Sequence, residues 1–82
     1  MKPGALLHRL RSGALENVRF SDARALAEAL GFEYVGGEGS HRIYAYPGQP
    51  EQLNLQPLNG QAKPYQLRQL LRLIDRYGLA LP

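Results

Sequence analysis

Apolar residues recur at helical spacing in three segments of the chain, and three shorter segments between the last two read as strands. From Pro3 to Ser12, Leu6, Leu7 and Leu10 fall on one stripe, with Pro3 near the start and Gly13 at the stop, so this segment is expected to be a helix. A connector from Gly13 to Phe20 follows. Ser21 offers a hydroxyl N-cap and Asp22 a first-turn negative charge to a second helix. Its face is Ala23, Leu26, Ala27 and Leu30, and Gly31 ends it.

The next segments have the length and residue types of strands. Phe32 to Val35 is aromatic and β-branched, Gly36 to Gly39 forms a turn, and His41 to Tyr46 is a second strand ended by Pro47-Gly48. Glu51 to Gln56 is a third, with Leu53 and Leu55 alternating against Asn54 and Gln56. Pro57 to Lys63 reads as a loop. Pro64 then opens a last helix with Leu67, Leu70, Leu71, Ile74 and Tyr77 on its apolar face, closed by Gly78.

The order is one helix, then α-β-β-β-α. Short connections make the strands an antiparallel meander, and one apolar sheet face requires helices on that side only. The expected class is therefore α+β, with a three-stranded antiparallel sheet and an extra N-terminal helix. One folded unit is expected. Residues 1–20 form the N-terminal helix and connector, and residues 21–82 form the main domain.

Length narrows the picture further. A chain of 82 residues buries only about 60% of the surface its unfolded form exposes, so its stability margin is thin. There is no cysteine, which removes disulfides and thiolate metal sites. No apolar run reaches the about 18 residues of a spanning helix, and no signal-like apolar segment follows Met1, so a soluble cytoplasmic protein is expected. Ten Lys and Arg against seven Asp and Glu give a net charge of +3, compatible with a polyanionic partner such as RNA.

Candidate chemistry centres on the stretch GGEGSHRIYAYPG, Gly36 to Gly48. Its glycines permit close approach to the backbone, and they also suit a plain hairpin turn. His41 has the side chain best suited to acid–base work near neutral pH. The faces of its strand are ambiguous: His41, Ile43 and Ala45 share one, and Arg42, Tyr44 and Tyr46 the other, so periodicity leaves both orientations open. His8, on the first helix, reads as an ordinary surface side chain. Two histidines so far apart, with no carboxylate cluster, give no metal-ligand spacing, and no metal or other cofactor is expected. Arg68, Arg72 and Arg76 recur every four residues along the last helix, with Lys63 near its start. This stripe suits RNA phosphates and equally suits a solvated face.

The segment from about Ser21 to Leu79 resembles the HicA family, the small RNA-cleaving toxins of toxin–antitoxin pairs. The features that carry the resemblance are Gly31-Phe32 after a helix, Gly39-Ser40-His41 opening a strand that continues Ile43-Tyr44, Pro57 after a Leu-rich strand, and Leu67-Arg68 with Leu70-Leu71 in the closing helix. The resemblance implies a double-stranded-RNA-binding-domain-like fold, His41 as the catalytic position of an endoribonuclease, mRNA as substrate and a HicB-like antitoxin as partner. With His41 as the acid or base, Gly39, Ser40, Arg42, Lys63, Arg68 and Arg72 are the expected RNA contacts. Many family members carry a second histidine two residues after the proline that ends the third strand. Asn59 stands there in this chain. A non-catalytic RNA-binding domain of the same fold is the competing expectation.

Overall fold

The computed structural model describes all residues from Met1 to Pro82. The elements run α1 (Pro3–Arg11), α2 (Phe20–Ala29), β1 (Glu33–Gly36), β2 (Arg42–Ala45), β3 (Gln52–Leu55), β4 (Pro57–Leu58), β5 (Gln61–Ala62) and α3 (Pro64–Tyr77). The expected α+β class holds. Strands β1, β2 and β3 form an antiparallel sheet in that order, and β4 and β5 form a separate two-stranded hairpin. This arrangement is compatible with a double-stranded-RNA-binding-domain-like fold.

Register settles the face that periodicity left open. Tyr44 pairs with Leu53 and Arg42 with Leu55, so Tyr44 shares a sheet face with two buried leucines. The opposite face carries Ile43 against Asn54 and Ala45 against Gln52. Tyrosine therefore faces the helices, and Ile43 and Ala45 stay half-buried. Between β1 and β2 the register shifts at Val35, because Tyr34 pairs with Tyr44 and Gly36 with Ile43. The irregularity leaves Val35 exposed and increases local twist just before the glycine turn.

One core joins the helices to this face. Leu6 and Leu10 of α1, Leu26 and Ala27 of α2, Tyr44, Leu53 and Leu55 of the sheet, and Leu67, Leu70, Leu73 and Ile74 of α3 are all buried in it. Each such leucine contributes about 1.5–3 kcal/mol by leaving water. The buried stripe of α3 includes Leu73, whereas Leu71 and Tyr77, expected on it, are only half-buried. Gly78 ends α3 in the left-handed region at φ 63°, as its position beyond the last apolar residue suggests.

Two expectations are corrected. Helix α2 starts at Phe20, with Arg19 as N-cap and no side-chain cap, so Ser21 does not cap it. The cause is pairing upstream. Ala62 donates its N–H to the Val18 carbonyl at 2.8 Å, Phe20 donates to the Gly60 carbonyl at 2.9 Å, and Arg19 bridges Gln61. The hairpin thus fixes the backbone that enters α2, and no hydroxyl is needed there. Asp22 keeps its first-turn place and pairs with the N-terminal ammonium at 3.3 Å. The second correction is the stretch from Pro57 to Lys63, which contains the β4–β5 hairpin. Asn59 (φ 53°) and Gly60 (φ 77°) form its two-residue turn, the conformation Asn-Gly favours.

Candidate functional site

The turn ahead of β2 is built by its backbone. His41 donates its N–H to the Glu38 carbonyl at 3.0 Å, closing a four-residue turn. Gly37 sits against the end of that turn at φ 143°. A Cβ there would lie 2.4 Å from the His41 carbonyl oxygen, so only glycine fits without displacing the histidine backbone. From the other side Arg42 donates through Nη1 to the carbonyls of Gly39 (3.0 Å) and His41 (3.2 Å). The result is an exposed His41 side chain on a tethered turn.

A second tether runs through side chains. Gln56, just past β3, donates from Nε2 to Ser40 Oγ at 3.1 Å and accepts from Lys63 Nζ on its Oε1 at 2.9 Å. Its own backbone N–H donates to Oε1 of Gln66 at 2.8 Å, and Gln66 is the one polar side chain buried in the core. The Gly39-Ser40-His41 turn, the end of β3 and the start of α3 are thereby linked in one chain of hydrogen bonds. Lys63 is the N-cap residue of α3, and no acidic residue lies in that helix's first turn. A cation at the positive end of a helix dipole does not stabilise the helix; it concentrates positive potential there.

The arginine stripe divides. Arg76 is paired with Glu51, and Asp75 beside it receives two hydrogen bonds from Arg11 of α1, at 2.7 and 3.1 Å. These bonds hold the Asp75 carboxyl below the usual carboxylate range. Arg68 and Arg72 are exposed, and no hydrogen bond or ion pair engages either guanidinium. His8 is exposed on α1, well outside the turn. No group of three or more His, Asp or Glu side chains converges as metal ligands would.

The structure therefore brings Gly39, Ser40, His41, Arg42 and Lys63 together and leaves Arg68 and Arg72 along the helix that Lys63 heads. Sequence reasoning missed Gln56 and Gln66. A signal was present for Gln66, which stands four residues before Leu70 and eight before Ile74, on an apolar helical face where a polar residue needs a partner.

These features define a class: a small α+β domain presenting a glycine-held Ser-His turn beside a basic helix start. A family profile described as the HicA toxin of bacterial toxin–antitoxin systems matches residues 20–75, more than half of the chain. The chain belongs to the HicA toxin family and is the toxin of a toxin–antitoxin pair, with an antitoxin as its counterpart. Helix α1 lies outside the match. No curated protein and no solved structure is significantly similar to the chain. No helix is long and apolar enough to cross a membrane.

Proposed function

We propose that this toxin is a metal-independent endoribonuclease acting on mRNA in the cytoplasm, with His41 as its acid–base residue. The observation that carries the proposal is the link from the exposed His41 turn through Ser40 and Gln56 to Lys63. RNA supplies its own nucleophile, the 2′-hydroxyl. Cleavage requires a base for the 2′ proton, an acid for the departing 5′-oxygen and positive charge beside the phosphate. The 2′-oxygen attacks phosphorus, the P–O5′ bond breaks, and the products end in a 2′,3′-cyclic phosphate and a 5′-hydroxyl. His41 moves the proton. Lys63 and Arg42 stabilise the phosphate charge, Gly39 and Ser40 shape the turn against it, and Arg68 and Arg72 hold the flanking backbone. Residues 21–82 carry all these groups, while residues 1–20 brace α2 and α3 from behind.

The partner in this reading is an acidic HicB-like antitoxin that covers His41 and the basic residues around it. Opposite charge speeds such association, and the rate falls as salt rises.

The test is cleavage of mixed RNA by purified wild type and His41→Ala. The expected loss is about 10²–10⁴-fold, with the circular dichroism spectrum unchanged. A chelator leaves the wild-type rate unaltered. A folded His41→Ala protein that cuts as fast as wild type overturns the assignment. An inactive wild type that still binds RNA favours the non-catalytic RNA-binding domain, the reading that Asn59 in place of the second family histidine supports.

A further inference from the structure

A second basic surface adjoins the turn and involves residues that the catalytic reading does not use. Between α2 and the β1–β2 hairpin lies an open groove of about 430 Å³, within the size range of small-ligand sites. Its floor is the buried Tyr44 ring. Arg24 and Glu28 rise on one wall from α2, and Tyr34 of β1 and Arg42 of β2 form the other. Gly37 and Gly39, from the loop that carries His41, make the lip.

The charges in this groove are unspent. Arg24 and Glu28 are four residues apart on α2, the spacing at which helix ion pairs form, yet neither is ion-paired to the other or to Arg42. Arg42 commits only Nη1 to the loop carbonyls. Its remaining N–H groups and the Arg24 guanidinium are free to take a phosphate from two sides. Tyr34 is more than half exposed, with its ring 5.7 Å from that of Tyr44, which holds it edge-to-face at the rim. An aromatic ring fixed at a rim is a stacking platform for a base. The Glu28 carboxylate is acceptor-only and suits the exocyclic amino group of a base.

We infer that this groove binds one single-stranded nucleotide of the RNA next to the cleaved phosphate. Its base stacks on Tyr34, its phosphate sits between Arg24 and Arg42, and Glu28 favours a base with an exocyclic amino group over uracil, which has none. The inference rests on the ribonuclease reading, since it assigns the groove to the same RNA. Gly39 and Arg42 belong to both the groove and the turn, so a nucleotide held here adjoins the loop that carries His41.

The test uses the wild-type chain and short oligo-adenylate, oligo-cytidylate and oligo-uridylate carrying 2′-O-methyl groups, which block the internal nucleophile and keep binding separate from cleavage. Amide NMR titrations are expected to move the signals of Gly37, Gly39 and Arg24. Tyr34→Ala and Arg24→Ala each weaken binding about five-fold or more, and Tyr34→Phe retains it. Glu28→Gln removes the preference for adenylate and cytidylate over uridylate. Perturbations confined to α3, with the groove signals unmoved, overturn the subsite and leave the ribonuclease reading in place. Binding that ignores Tyr34→Ala and Arg24→Ala does the same. A chain that neither binds these oligomers nor cuts RNA overturns both.

Discussion

The Gln56 carboxamide donates to the Ser40 hydroxyl at 3.1 Å, joining the end of the third strand to the turn that carries His41. The same carboxamide holds Lys63 on its oxygen, so one side chain sets the spacing between the histidine turn and the basic helix start. Gln56→Leu keeps most of the volume and removes both links. The expected stability loss is about 1 kcal/mol per hydrogen bond. RNA cleavage is expected to fall further, about 10- to 100-fold, because geometry at the site loosens. Urea unfolding beside cleavage kinetics separates the two effects. A rate unchanged in the folded Gln56→Leu protein would remove Gln56 from the site.

Gly37 and Gly39 give a paired test of the turn. Gly37→Ala places a methyl group against the His41 carbonyl oxygen in a strained backbone region and is expected to cost about 1–3 kcal/mol. Gly39→Ala meets no atom within 4 Å, so only the left-handed φ of 61° opposes it, at about 1–2 kcal/mol. Cleavage by the folded fraction is expected to drop further in Gly37→Ala than in Gly39→Ala. Equal activity in the two variants would contradict the crowding at Gly37.

Arg68, Arg72 and Arg76 share a stripe and differ in engagement. Removing Arg68 or Arg72 is expected to weaken binding to unrelated RNAs alike and to reduce the log–log salt slope by about 0.7–0.9 per lost contact. Arg76→Ala changes the slope less, because Glu51 already neutralises that guanidinium. Binding titrations at several salt concentrations read this directly. Identical slopes for all four proteins would return Arg68 and Arg72 to a solvated face.

The Arg11–Asp75 pair ties α1 to α3 and has a defined pH signature. Its hydrogen bonds depress the folded-state pKa of Asp75. Such a group contributes stability above its unfolded pKa of about 3.9 and loses it as pH falls through the lower folded value. Wild type is therefore expected to exceed Asp75→Asn in stability at neutral pH, with the gap closing in strong acid. Thermal melts across the acid range measure it, and a gap that persists at the acid end would point to another cause.

The helices were legible because their apolar residues repeat cleanly, as Ala23, Leu26, Ala27 and Leu30 show, all buried. Strand β2 was legible as a strand but not in its facing, since both of its faces are apolar. Pairing of Tyr44 with Leu53 decides that, and pairing is non-local. The start of α2 was misread because a hairpin some 40 residues later fixes it. That hairpin carried a local Asn59-Gly60 signal that the surrounding polar stretch masked. At the site, Gly39, Ser40, His41 and Arg42 are contiguous and could be read as a motif. Arg24 and Glu28 join them only through the packing of α2 beside the sheet, which no local pattern encodes.

Strand β3 lies at the edge of its sheet, and helix α3 reaches across that edge with two glutamines. Gln66 accepts the Gln56 N–H just beyond the strand, and Gln69 donates to the Gln52 carbonyl at its beginning. An open edge is a template on which further chains add, and repeated addition leads to fibres. Here both ends of the template are already occupied by the molecule's own carboxamides. Growth from the β3 edge is thereby blocked, and β1, with Tyr34 and Val35 exposed, is left as the one open edge of the sheet.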